Sequence, residues 1–296
     1  MSTTAGSALV VALAADVDRL CTAEPDVRQD LPDSVHSMRV ATRRLRSVLR
    51  SYRRVLRRGP TGELRDELRW LAGLLGVARD AEVRAERFES LLGESGSGVD
   101  KKTKKGKKAS RGNDFGALLV AAERRIYAGA HLAILEGLDS RRYGALEERV
   151  HGLVADPPLR PAHSDKPATE LFASVLRHDF RDLRRLVRTE PAVGDPDRVE
   201  HLHDIRKAAK RLRYSAEAAT DILGDPASAL ARNAKKLQGV LGDHRDAVEA
   251  LDTLHAHAPD RPEPGYQRLC DAEEAAAAKA LEEYPAAIEF LRHRAL

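Results

Sequence analysis

The stretch His36-Ser37-Met38-Arg39-Val40-Ala41-Thr42-Arg43-Arg44-Leu45-Arg46 returns 167 residues later as His203-Asp204-Ile205-Arg206-Lys207-Ala208-Ala209-Lys210-Arg211-Leu212-Arg213. The histidine, the four basic positions and the leucine coincide at that constant offset. A pattern repeated in register implies a fold built from two related halves. A cationic pattern kept in both copies implies that the two halves face one polyanion together.

On a helical wheel begun at His36, Arg39, Arg43, Arg46, Arg50 and Arg53 fall within an arc of about 100°. Met38, Leu45, Val48, Leu49, Tyr52 and Leu56 occupy the adjoining, largely opposite face. One face packs and the other is a ladder of guanidinium groups. In the second copy His203, Arg206, Lys210 and Arg213 take the ladder positions, with Ile205, Leu212, Ala216 and Leu223 on the packing side. Arg44 and Arg211 lie off the stripe as flanking contacts. Like charges three and four residues apart destabilise a helix, so a ladder without acids implies a missing counterion that is a ligand. Guanidinium forks match phosphate oxygens, and their spacing suits an extended chain of phosphates. His36 and His203 are expected in the first turns of their helices, where free backbone N–H groups favour an anion and a bound polyphosphate would raise the imidazole pKa.

The repeat extends further. Leu71-Ala72-Gly73-Leu74-Leu75-Gly76-Val77-Ala78-Arg79-Asp80 matches Leu237-Gln238-Gly239-Val240-Leu241-Gly242-Asp243-His244-Arg245-Asp246, now at an offset of 166. Arg69 and Lys235 correspond at the same offset. Gly76 and Gly242 are expected to end helices in the left-handed conformation. Asp80 and Asp246 would then begin the next ones, where a carboxylate is favourable.

Charged residues make up 32% of the 296-residue chain and aromatics 4%, which favours helices over strands. The net charge is only +4, so the basicity is local: nine arginines and no acid lie between positions 36 and 58. Helical periodicity predicts an all-α chain with helices near 7–21, 34–57, 62–77, 80–92, 115–137 and 142–154 in the first half. In the second half it predicts 168–189, 198–223, 227–241, 244–258, 265–283 and 285–294. The halves span 5–155 and 168–294, joined by a Pro-rich linker at 156–167. The segment 93–112 carries six lysines and almost nothing apolar, and is expected to be a disordered basic loop.

Cys21 and Cys270 have neither metal nor redox spacing, as expected of reduced thiols in a cytoplasmic protein. The apolar start at Leu9–Leu20 is broken by Asp16 and Asp18 and lacks a basic lead-in, so no signal peptide is expected. No run reaches the roughly 20 apolar residues of a membrane span. His201 and His203 are two residues apart and point to different sides of a helix, as are His255 and His257; no metal site is expected. No paired carboxylates are expected beside either ladder, and few aromatics are present for base stacking. A phosphoanhydride-processing enzyme using His36 or His203 and a nonspecific nucleic-acid binder are the alternatives to a binding protein without catalytic residues. A homo-oligomer is compatible with the sequence.

The two H-x-x-R-x-x-x-[RK]-R-L-R blocks, each followed by L-x-x-x-L-G-x-x-R-D, resemble the CHAD family, the conserved histidine α-helical domain. The resemblance covers roughly residues 5–294. It implies two pseudo-symmetric helical bundles with the basic helices lining a central groove or pore. It also implies binding of long-chain inorganic polyphosphate, association with polyphosphate granules, and no cofactor. Carried onto this chain, it places anion contacts at His36, Arg39, Arg43, Arg46, Arg79, His203, Arg206, Lys210, Arg213 and Arg245. Arg50, Arg69, Lys207 and Lys235 are second-rank positions.

Overall fold

The computed structural model describes residues 3–97, 111–260 and 263–292. The fold is all-α, and eleven α-helices are found among the described residues. They are α1 (Ala5–Arg28), α2 (Ser34–Ser51), α3 (Arg58–Ser97), α4 (Arg111–Leu138), α5 (Arg141–Ala155) and α6 (Pro161–Ser164). They continue with α7 (Ala168–Thr189), α8 (Asp195–Ala218), α9 (Thr220–Leu223), α10 (Asp225–Ala256) and α11 (Pro264–Ala287).

Two expected breaks are absent. The helices predicted at 62–77 and 80–92 are one 40-residue helix, α3, and those at 227–241 and 244–258 are one 32-residue helix, α10. Gly76 and Gly242 therefore sit inside helices rather than ending them, and Asp80 and Asp246 lie mid-helix. The physical reason is tertiary. Leu68, Leu71, Leu75, Ala78 and Ala81 of α3 are buried without interruption, as are Leu237, Val240, Leu241 and Ala247 of α10. This packing outweighs the roughly 1 kcal/mol that a glycine costs a helix. α8 begins at Asp195 with Pro196 in its first turn, so His203 lies two turns inside the helix and not at its N-terminus. His36 is the third residue of α2. Of the expected loop at 93–112, the ends belong to α3 and α4, and 98–110 lie outside the described residues.

In sequence order, α1, α2, α3 and α4 each pack on the next; α7, α8, α10 and α11 follow the same rule through α7–α8, α8–α10 and α10–α11. Across the halves, α1 touches α7, α2 touches α8 and α4 touches α11. One apolar cluster draws on both halves, from Leu9 and Leu45 to Phe172, Ile205 and Leu237. At its centre the Tyr52 ring lies 4.6 Å from that of Phe172, and the Tyr52 hydroxyl donates to the Ser215 carbonyl at 2.9 Å. A smaller cluster joins Phe88, Leu119, Leu254 and Leu269, where the far ends of α3, α4, α10 and α11 meet.

The segment 156–167 lies against the first half. Arg57 N–H donates to Pro158 O, Arg160 N–H to Val55 O, and Ala5 N–H to Lys166 O, at 2.7–2.8 Å. These bonds strap it to the start of α1 and to the turn after α2.

Candidate anion-binding site

α2 and α8 pack against each other, and their ladders meet where α3 and α10 close the sides. A cavity of about 260 Å³ opens there. α2 contributes His36, Arg39 and Arg43; α8 contributes His203 and Arg206; α3 and α10 contribute Arg79 and Arg245. Seven of the sequence-predicted positions thus come together from four helices. Lys210 lies beside them, half-buried among Arg43, Arg206 and Arg39.

The glycines of the second repeat block explain how the arginines fit. A Cβ on Gly76 would stand 3.9 Å from the Arg39 guanidinium, and one on Gly242 would stand 3.5 Å from that of Arg206. The small residue leaves room for a guanidinium laid across the neighbouring helix. Arg39 Nη1 donates to Asp80 Oδ1 at 2.7 Å. Arg206, Arg43 and Lys210 form no ion pair among the described residues. The Nε atoms of Arg39 and Arg206, and Nδ1 of His203, are buried with no hydrogen-bond partner. Buried polar groups are ordinarily satisfied, so unpaired donors at equivalent points of two helices mark a place prepared for an acceptor.

The electrostatics agree. Burial, then Arg43, Arg206 and Arg39, pushes the Lys210 ammonium down to about 6, with Asp246 opposing. Burial and Arg39 push the Arg43 guanidinium down to about 10, so it keeps its charge near neutrality. His36 is lowered by burial and by Arg79, and His203 by burial, Lys207 and Arg245. Asp246 is raised by burial, against the pull of Arg206. Cations held in a partly dry site without enough counter-charge raise each other's cost, and a polyanion removes that cost.

Sequence reasoning missed several groups. Asp80, Asp246 and Glu249 line the cavity, where the expectation had been that no paired carboxylates would stand beside the ladders. Asp80 is committed to Arg39 and Glu249 to Arg245. Arg84 and Arg87 also line it; Glu123 holds Arg84 through two bonds of 2.9 Å, and Glu273 holds Arg87. They stand in single positions on α3 with no counterpart in the repeat, so no pattern announced them.

Other predicted positions lie elsewhere. Arg213 donates to Glu217 at 2.7 Å and to Gln238, and does not line the cavity. Lys207 is exposed and paired with Asp204 at 2.5 Å. Arg69 is exposed and paired with Asp66 at 3.0 Å, and Lys235 is exposed on α10. Arg46 and Arg50 continue the ladder along α2. Burial with Arg69 and Arg65 lowers Arg46, and burial with Arg211 and Arg65 lowers Arg50. Arg44 and Arg211 clasp the fold: Arg44 bonds to fully buried Asp16 and to Glu217, and Arg211 to buried Asp179 and to Asp182.

A family model for the CHAD domain matches residues 11–255. The chain belongs to the CHAD family. Two curated relatives, uncharacterized proteins of Mycobacterium tuberculosis strains CDC 1551 and H37Rv, are each 34% identical over 244 residues. That region is 82% of this chain but 44% of theirs, so the chain spans less than half the length of these relatives. Among solved structures, PptA from Streptomyces chartreusis superposes with a TM-score of 0.77 at 20% identity, covering 96% of this chain and 99% of that one. The CHAD domain from the plant Ricinus communis superposes at 0.67 with 24% identity, covering 99% and 94%. At such identities the likeness shows a shared CHAD fold. No helix among the described residues is long and apolar enough to cross a membrane.

Proposed function

We propose that this protein binds long-chain inorganic polyphosphate without chemically processing it, holding the chain between α2 and α8, and that it associates with polyphosphate granules through such contacts. The observation that carries the reading is the meeting of Arg39, Arg43, Arg206 and Lys210 from two helices, with the Nε atoms of Arg39 and Arg206 left without partners. A chain of phosphates supplies closely spaced acceptors along its whole length. The affinity would be set by phosphate–cation contacts, rise with chain length, and fall with salt. Many occupied sites on one polymer would concentrate the protein on a granule. The repeat and the matching contacts of α1 with α7 and α2 with α8 support an internal duplication in which each half lends one face to the site.

Calorimetry with length-graded polyphosphate, against orthophosphate, ATP and duplex DNA, tests the ligand. Long polyphosphate is expected to bind most tightly, and tighter binding to DNA would overturn the reading. Charge reversal tests the shared cavity. Arg43→Glu and Lys210→Glu should each weaken binding by comparable factors, and the pair should nearly abolish it. A silent single variant would mean that the halves do not share one ligand. The carboxylates in the cavity give an enzymatic reading a specific test: release of phosphate from polyphosphate with magnesium, abolished by His36→Ala, would replace the present one.

A further inference from the structure

The two ladders do not run equally far. Arg50 of α2 has Glu217 as its counterpart 167 residues on, and Glu217 neutralises both Arg213 and Arg44. The cationic face therefore continues past the cavity along α2 only.

Where α2 ends, it meets α7: Ser51 Oγ donates to Asp179 Oδ2 at 2.8 Å. A hollow of about 130 Å³ lies between them, lined by Arg53, Arg54, His163, Lys166 and His178, with Glu170 the one acid. Beyond it, the outer face of α7 carries Arg177, Arg181, Arg184, Arg185 and Arg188. None of these forms an ion pair among the described residues, and the last four enclose a groove of about 490 Å³.

This face is not part of the repeated framework. Asp16 and Asp179 are equivalent, since each anchors the off-stripe arginine of its half. In that register, 163 residues apart, the α7 arginines correspond to Ala14, Asp18, Cys21, Thr22 and Pro25 of α1. Five like charges on one helix destabilise it by tenths of a kcal/mol per neighbouring pair. The buried apolar residues of α7, from Leu171 to Leu183, lie on its inner face, away from these arginines. An uncompensated helix face of this kind fits an extended anion.

We propose that the arginine face of α7 is a second grip on the same phosphate chain, reached from the cavity along Arg46 and Arg50 and across the basic hollow at the end of α2. The inference rests on the polyphosphate reading. Arg39 to Arg50 and Arg177 to Arg188 each span about 16 Å of helix, so the whole track exceeds about 30 Å. A short oligophosphate fills the cavity alone, whereas a long chain engages both ends, and the second contact is intramolecular.

The test compares wild type with Arg181→Glu/Arg185→Glu, both exposed positions, after circular dichroism has verified unchanged helicity. Tripolyphosphate and a chain of about one hundred phosphates are the probes. The double variant should lose about tenfold or more in affinity for the long chain, with a shallower salt dependence, and nothing for tripolyphosphate. Unchanged long-chain binding, or equal loss for both probes, would overturn the second grip. So would a loss confined to duplex DNA, which would assign the face to nucleic acid. Absence of long-chain binding by the wild type would instead overturn the polyphosphate reading itself.

Discussion

Arg43 and Arg44 are adjacent in the chain and meet opposite environments. Arg44 completes the charge of Asp16, which is fully buried and whose carboxyl burial pushes upward while Arg44 and Arg19 pull it down. Without Arg44 the buried carboxylate would be left to Arg19, whose side chain is half exposed, and Glu217 would lose its partner on α2. Arg44→Ala should therefore destabilise the protein by about 3 kcal/mol, read by chemical denaturation. Arg43 has no such partner, and its truncation should cost binding without that loss. Lys210 gives the matching prediction with pH. Its ammonium titrates near 6 in the fold against an ordinary 10.5, so between those values the unfolded chain holds the extra proton. Stability from this group rises with pH across that window. Lys210→Met should melt above wild type at pH 6, and its advantage should shrink toward pH 9. Bound polyphosphate would restore the proton, together with those of His36 and His203, so affinity should strengthen as pH falls and calorimetry should detect proton uptake near pH 7.5.

At the scale of elements, the glycines separate two readings of the same residues. A glycine ending a helix in the left-handed conformation resists any side chain, whereas one inside a helix yields stability when replaced by alanine. A Cβ on Gly242 meets Arg206 at 3.5 Å, an ordinary contact. Gly242→Ala should raise stability by about 0.5–1 kcal/mol with binding retained. Gly242→Leu should push the Arg206 guanidinium aside and weaken binding at unchanged helicity. The repeated ladders were legible in the sequence because the histidine and its four basic followers recur at one offset, and the family followed from them. The long helices were not, because a glycine is a local stop signal and the burial that overrides it depends on distant partners. The pairing of Arg213 was overlooked although the sign was present: Glu217 lies four residues on, the spacing of a helical ion pair. Asp80 and Arg87 were missed because their meaning depends on Arg39 and Glu273, 41 and 186 residues away.

At the scale of the molecule, the two halves share one apolar cluster, and Tyr52 is bonded across it to Ser215. Each half thus covers part of the other's inner apolar face. The chain is expected to unfold in a single cooperative transition by both circular dichroism and tyrosine fluorescence, and residues 5–155 expressed alone should not show it. Two separate transitions would show that the halves are independent domains.

Asp80 already occupies Arg39 before any ligand arrives. On the proposed reading an incoming anion would take the unpartnered Nε of Arg39 beside that carboxylate, and a single phosphate would meet the repulsion of Asp80 with little charge to offset it. A polymer would face it with one unit while its neighbours engaged Arg43, Arg206 and Lys210. On that reading the aspartate would act as a threshold, setting a single phosphate apart from an anion with charge to spare on either side.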